Sequence, residues 1–89
     1  MLRAITTNQF EKDVKLAKKR GKDLNRIFHL MQLLLNEEII PAKHRDHSLS
    51  GNYANRRECH IEPDWLLIYK LASEEIIFER TGTHSDLFK

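Results

Sequence analysis

Two short segments in the second half of the chain, CHIEPDWLLIYK and FERTGTH, carry side chains suited to acid–base chemistry. Their candidate catalytic residues are His60, Asp64, Arg80 and His84. Imidazole and carboxylate groups exchange protons near neutral pH, and a guanidinium binds a phosphate through two hydrogen bonds. The set therefore predicts metal-free RNA cleavage, in which a 2′-hydroxyl loses a proton as it attacks the neighbouring phosphate.

Two aromatic residues, Trp65 and Phe88, lie close to this set in the sequence. Unpaired bases stack on exposed aromatic faces, so we predict that both residues contact RNA. Both aromatic residues also have a purely structural alternative, Trp65 as a core residue and Phe88 as a residue that closes the core at the chain end. Asp64 has one as well, because it follows Pro63 and could be an ordinary turn residue.

Three predicted strands must bring the two segments together. They cover residues 54–61, 65–71 and 75–81, with turns at Pro63 and at the sequence ASEE. The predicted cross-strand pairs are Ile61–Trp65, His60–Leu66, Leu71–Glu75 and Leu66–Arg80.

Opposed residues point to the same face of a sheet, so this register places His60 and Arg80 on either side of Leu66, roughly 10 Å apart. A change of one residue in either turn would move Arg80 to the other face.

The first half of the chain predicts a short strand, MLRAIT, followed by two helices. Asn8 and Glu11 have the spacing of a capping box, Gly21 is a natural helix stop, and Asp23 caps a second helix that ends near Asn36. Apolar residues recur at helical spacing: Phe10, Val14, Ala17, Leu24, Ile27, Met31, Leu34 and Leu35. We therefore predict an α+β fold, a helical hairpin packed on one face of a mostly antiparallel, twisted sheet of about four strands.

Length and composition indicate one cytoplasmic domain covering residues 1–89. The chain is 40% hydrophobic and 31% charged, which is typical of a globular protein. Its single cysteine, Cys59, cannot form an internal disulfide, and this favours a reducing compartment. The first residues lack the apolar region of a signal peptide, and the longest apolar run, WLLIY, is too short to span a membrane.

Charge is distributed unevenly along the chain. Residues 1–35 contain eight Lys and Arg against three acidic residues, whereas residues 36–89 contain seven against ten and four of the five histidines. A helical row of lysines is predicted to contact RNA phosphates: Lys12, Lys15, Lys19 and Lys22. A landing site for an acidic protein and a simply solvated helix face are the alternatives.

Other chemistries have weaker support. A zinc site would use Cys59, His47, His60 and His84, but adjacent Cys59 and His60 point to opposite faces of a strand and no CxxC or HxxxH spacing is present. The sequence has no nucleophile elbow and no glycine-rich phosphate loop. We therefore predict no metal and no cofactor.

Four segments, KDVKLAKKRGKDLNRIFHLMQLLL, RDHSLSG, RECHIEPDWLLIYKL and FERTGTHSDLF, resemble the YafQ-type toxins of the RelE/ParE superfamily over nearly the whole chain. The resemblance implies a ribosome-dependent mRNA endonuclease of a bacterial type II toxin–antitoxin system. Its implied partners are the 70S ribosome with its rRNA, the mRNA in the A site, and a DinJ-like antitoxin. DNA contact is implied only indirectly, through the antitoxin complex, and no membrane contact is expected.

The family's active-site pattern falls on His47, His60, Asp64, Trp65, Arg80, His84 and Phe88. The resemblance implies that His84 is the general acid and Arg80 the phosphate clamp. His47, His60 and Asp64 then share proton abstraction and positioning, and which of the three is the base stays open. The lysine- and tyrosine-based site of RelE itself is not evident.

Two alternatives belong to other functional classes. One is a ParE-like toxin that inhibits DNA gyrase by binding, and the other is a module that only binds its antitoxin. Neither needs the set of His, Asp and Arg that the predicted sheet brings together.

Overall fold

The computed structural model describes residues 1–88, which form one five-stranded sheet, two long helices and a short C-terminal helix. The elements are β1 (Arg3–Thr6), α1 (Asn8–Lys19), α2 (Leu24–Leu35), β2 (His47–Ser48), β3 (Arg57–Glu62), β4 (Trp65–Leu71), β5 (Glu75–Gly82) and α3 (His84–Leu87), with 3₁₀ turns at Ala42–His44 and Gly51–Tyr53. The strand order is β1-β5-β4-β3-β2; β1 is parallel to β5 and the other pairs are antiparallel. The predicted α+β class is confirmed, and β2 supplies a strand that was not predicted.

The central strand β4 is buried on both faces. Trp65, Leu67 and Tyr69 pack into the core formed with α1 and α2. On the other face, Leu66 and Ile68 pack against Leu87 of α3 and against the segment before β3. The sheet is therefore covered on two sides, although a helical layer was predicted on only one.

The helix boundaries agree with the sequence except at the first cap. Thr7, not Asn8, caps α1, because the Thr7 hydroxyl accepts the Phe10 amide at 3.0 Å. Asp23 caps α2 by accepting the Asn25 amide at 3.0 Å, and Asn36 follows its last turn. Gly21, between the helices, has a φ of +83°, a conformation that only glycine adopts easily.

The two β-hairpins differ from the predicted register in instructive ways. His60 pairs with Leu66 as predicted, but Trp65 pairs with Glu62, because Ile61 is a bulge residue. In the second hairpin Arg80 pairs with Ile68, not with Leu66, which pairs with Gly82.

A second bulge determines the face on which Arg80 lies. Near the turn, Leu71 pairs with Ile76, one residue away from the predicted partner. That shift alone would turn Arg80 towards α1 and α2. The register shifts again between Ile68 and Tyr69, leaving Glu79 as the extra residue, so Arg80 returns to the face of His60.

This packing bears on two of the predicted RNA contacts, Trp65 and Lys22. Trp65 is 1% exposed in the helical core, so its ring offers no face to a base. Lys22 lies outside α1; its ammonium group binds Glu62 at 3.1 Å and sits 5.7 Å from the centre of the Trp65 ring. Both side chains therefore stabilise the hairpin tip.

The single cysteine, Cys59, is fully buried in the same core. Burial raises the pKa of its thiol well above the usual range. Within residues 1–88, no helix has the length and apolar character needed to cross a membrane.

Replacing Trp65 with Ala should lower the free energy of unfolding by about 3–5 kcal/mol, because the change leaves a cavity in the helical core. Urea unfolding measures this loss. Phe88→Ala, at a side chain that is 42% exposed, should cost much less and serves as the control. Equal unfolding free energies for the unchanged protein and the Trp65 variant would contradict the buried position.

Candidate active site

Five rings form a continuous row on the sheet face that lies away from α1 and α2. The row, called the aromatic row below, runs in the order His47, His60, His84, Phe88 and Tyr53. Successive ring centres are 6.3, 5.7, 6.3 and 5.4 Å apart. Three imidazoles thus lie side by side on this face of the sheet.

Asp64 orients the central proton-carrying ring, that of His84. One carboxylate oxygen of Asp64 accepts the His84 amide at 2.9 Å and the Nδ1 proton of His84 at 2.6 Å. The backbone hydrogen bond, and then the side-chain one, lower the pKa of Asp64. With Nδ1 occupied, Nε2 is the ring atom of His84 that remains available to a substrate.

The short helix α3 holds His84 at its first position. Thr83 caps the helix, and the Asp86 carboxylate accepts a hydrogen bond from the Thr83 amide at 3.0 Å, which completes a capping box. Arg20, beyond the end of α1, binds the same carboxylate at 2.7 Å and holds the pKa of Asp86 far below its usual range. A Cβ on Gly82 would lie only 3.0 Å from Asp86, so glycine permits this close approach.

Glu58 links the other two imidazoles of the aromatic row. It is 4% exposed and accepts a hydrogen bond from Nε2 of His60 at 3.0 Å, while Nε2 of His47 lies 3.6 Å away. His47 also donates from Nδ1 to the carbonyl of Arg45 at 2.6 Å, since a carbonyl can only accept. A buried carboxylate facing two imidazoles fixes their orientation. The sequence analysis missed this role of Glu58.

Arg80 lies on the same face and is held by Asp13 of α1. Its Nε binds one Asp13 oxygen at 2.8 Å, and Nη2 lies 3.3 Å from the other. This interaction raises the pKa of Arg80, and the nearby Tyr53 acts in the same direction. Arg80 is thus a fixed cation near the Tyr53 end of the aromatic row.

Asp13 satisfies several donors at once. It is 8% exposed, and besides Arg80 it accepts the amide of Thr81 at 3.1 Å and the side-chain amide of Gln9 at 3.0 Å. The pairing of β1 with β5 ends at Phe78, so β1 offers no carbonyl to the backbone amide of Thr81. The Asp13 carboxylate supplies the acceptor instead. No local pattern identifies Asp13, which lies 67 residues before Arg80.

The structure brings together most of the residues that the sequence predicted. The aromatic row contains His47, His60 and His84 with Asp64 bound to it, and Phe88 stands exposed beside His84. Three of the predicted lysines, Lys12, Lys15 and Lys19, are exposed on or at the end of α1. Tyr53 is a further member of the row that sequence reasoning missed.

The arrangement combines proton donors and acceptors with a fixed cation. This combination suits cleavage of a phosphodiester bond. One group removes a proton from the attacking hydroxyl, another supplies a proton to the leaving oxygen, and a guanidinium stabilises the developing negative charge. Among residues 1–88, no group of three or more His, Cys, Asp or Glu side chains is arranged to hold a metal ion. Cys59 of the zinc alternative lies in the helical core, away from this face.

Comparison with known proteins gives a consistent result. A family described as "Bacterial toxin of type II toxin-antitoxin system, YafQ" matches residues 2–89. The mRNA interferase toxin YafQ of Escherichia coli K12 is 52% identical over 83 residues, covering 92% of this chain and 90% of that protein. In the crystal structure of the E. coli DinJ–YafQ complex, the matched chain is 48% identical with a TM-score of 0.93 and full coverage of both chains. A metal-bound toxin from Helicobacter pylori is 37% identical with a TM-score of 0.92, covering 99% of this chain and all of that one.

Replacing Asp13 with Ala should lower the free energy of unfolding by about 1–3 kcal/mol, because the buried amide of Thr81 loses its acceptor. The Nε proton of Arg80 should also exchange faster with water, as measured by NMR. Glu74→Ala, at an exposed side chain, provides the control for stability and should leave the Arg80 proton unchanged. Unaltered Arg80 exchange in the Asp13 variant would contradict the anchoring role.

Proposed function

The chain belongs to the YafQ family of toxins from bacterial type II toxin–antitoxin systems, and from this premise we propose that it is an endoribonuclease that cuts mRNA in the ribosomal A site. One observation carries the proposal: His84, oriented by Asp64 at 2.6 Å, stands 5.7 Å from a second imidazole, that of His60. The related E. coli protein is named an mRNA interferase. A binding module that inhibits gyrase has no need of such a pair.

His84 is the proposed general acid. The Asp64 carboxylate accepts the Nδ1 proton, so a protonated ring presents Nε2 to the leaving 5′-oxygen. In this scheme Asp64 is a positioning residue.

The proposed general base, which removes the proton from the 2′-hydroxyl, is one of the two other imidazoles, that of His60 or that of His47. Asp64 is a poor base because its pKa is lowered by the hydrogen bonds from His84. His60 is the nearer of the two to His84, and Glu58 holds its Nε2 at 3.0 Å. The proposed base is therefore His60 or His47, and not Asp64.

Arg80 is the proposed phosphate clamp. Asp13 binds Nε and Nη2, which leaves Nη1 for a non-bridging oxygen of the phosphate. The charge is fixed in place before the substrate arrives, so little reorganisation is needed as negative charge develops. Phe88, 6.3 Å from His84, offers an exposed ring on which a neighbouring base stacks.

The remaining parts of the proposal concern partners and conditions. We propose that the chain acts in the bacterial cytoplasm, without a metal cofactor, and that a DinJ-like antitoxin neutralises it. The E. coli relative crystallises with DinJ, which supports such a partner. The lysines of α1 contact ribosomal RNA, and DNA is approached only through the antitoxin complex.

Replacing His84 with Ala should reduce mRNA cleavage on translating ribosomes about 10²- to 10⁴-fold, because the leaving oxygen loses its proton donor. Primer extension on the mRNA measures the cut. Ser85→Ala, at the exposed neighbour on α3, is the matched control. Undiminished cleavage by the His84 variant would reject its role, and no cleavage by the unchanged protein would favour the gyrase-binding or antitoxin-binding alternatives.

The same assay tests metal independence. Cleavage should persist on ribosomes that have been treated with EDTA and then resupplied with magnesium alone. Recovery of activity only after zinc or copper is added would overturn the metal-free mechanism.

Reversing charge at Lys15 and Lys19 to Glu should weaken ribosome binding and flatten its dependence on salt, because fewer counterions are released. The fold should remain intact, since both side chains are exposed. Lys70→Glu, exposed on β4, is the control. An unchanged salt slope in the double variant would mean that this helix face is only solvated.

A further inference from the structure

A basic cavity lies beside the aromatic row, on the outer edge of the sheet. Its volume is about 600 Å³, and it is enclosed by α2, the 3₁₀ turn Ala42–His44 and the tip of the β3–β4 hairpin. The ionisable residues lining it are Arg26, His29, Lys43, His44, Arg45, His60 and Glu62.

The positive charge of the cavity is only partly neutralised. Its single carboxylate, Glu62, already binds Lys22 at 3.1 Å and Arg26 at 3.3 Å. Lys43 and Arg45 have no ion pair within 4.0 Å among residues 1–88. A concave surface lined by uncompensated charge of one sign concentrates its field on an entering anion.

The segment that carries Lys43 and Arg45 makes two hydrogen bonds to the proposed catalytic histidines. His44 donates from Nδ1 to the carbonyl of His60 at 2.7 Å, along the part of β3 that β2 leaves unpaired. The carbonyl of Arg45 accepts the Nδ1 proton of His47 at 2.6 Å. The cavity is therefore held in a fixed position relative to His60.

Arg45 itself has a left-handed backbone, with φ of +48°. Residues other than glycine, asparagine and aspartate rarely adopt this conformation. The two hydrogen bonds to the histidines hold the loop in this shape.

We propose that this cavity binds a second phosphate of the RNA strand, the one adjacent to the phosphate that is cut, through Lys43 and Arg45. The proposal rests on the proposed function and extends it to the binding of the flanking nucleotide. His60 lines the cavity and also belongs to the aromatic row, so a phosphate bound in the cavity would lie next to the residues proposed to act on the scissile phosphate. The mRNA strand is thus favoured over a ribosomal RNA phosphate as the source of the anion.

The test uses short oligoribonucleotides that cannot be cut because the attacking 2′-hydroxyl is replaced by hydrogen. One dinucleotide carries only the scissile phosphate, and two trinucleotides carry one further phosphate on the 5′ or the 3′ side. Affinities are measured by NMR titration of the unchanged protein and of a Lys43→Gln, Arg45→Asn double variant. Asparagine tolerates the left-handed backbone, so the loop should keep its shape.

One of the trinucleotides should bind the unchanged protein about 3- to 10-fold more tightly than the dinucleotide, with a salt slope larger by about 1. The double variant should lose that gain and keep the affinity for the dinucleotide. Lys70→Gln, at an exposed lysine outside the cavity, should retain the gain. Lys43→Gln alone should lose part of the gain while leaving Arg45 and its loop intact.

Several results would overturn the proposal. If the double variant still binds the trinucleotide more tightly than the dinucleotide by the full factor, the cavity is not the binding site of the second phosphate. If the double variant loses as much affinity for the dinucleotide as for the trinucleotide, Lys43 and Arg45 act at the scissile phosphate. Weaker binding of the double variant to 70S ribosomes with no mRNA in the A site would assign the cavity to ribosomal RNA. If the unchanged protein cuts mRNA but binds neither trinucleotide more tightly than the dinucleotide, only the proposed second phosphate site is rejected. If the unchanged protein cuts no mRNA, the proposed function is rejected.

Discussion

The burial of β4 on both faces is the constraint on which the rest of the structure depends. Its alternate side chains enter two separate cores, one against α1 and α2 and the other against α3 and the segment before β3. A slip of one residue would exchange the two sets of side chains, so the strand fixes its neighbours firmly. The site is built on those neighbours, with His60 on β3 and Arg80 on β5. A short chain thereby obtains a rigid support for catalytic groups.

The position of Arg80 shows how much of this arrangement can be predicted from the sequence. Alternation and turn residues correctly predict the strands, the pairing of His60 with Leu66 and the face that Arg80 occupies. The partner of Arg80 is predicted wrongly, because a shift at the turn and a bulge at Glu79 together move it by two residues. Bulges depend on the packing of the whole sheet, and the local pattern in β5 carries no sign of one.

The other site residues that the sequence did not predict are held by contacts between distant segments of the chain. Asp13 holds Arg80 across 67 positions, and Tyr53 donates to the carbonyl of Leu87 across 34. No spacing rule links such residues. Trp65 is a different case: its type is compatible with both a core position and a base-stacking surface, and only burial decides between them. The resemblance to known toxins indicated the candidate catalytic set without explaining how these residues are held in place.

The single thiol of Cys59 has a practical consequence. It is completely buried at the junction of β3 with the helical core, and its raised pKa keeps it protonated. A thiol reagent can therefore react only when that part of the sheet opens. The rate of labelling reports the opening free energy of the strand that carries His60, with no need for an introduced probe. The molecule thus contains a native probe for the integrity of the candidate active site.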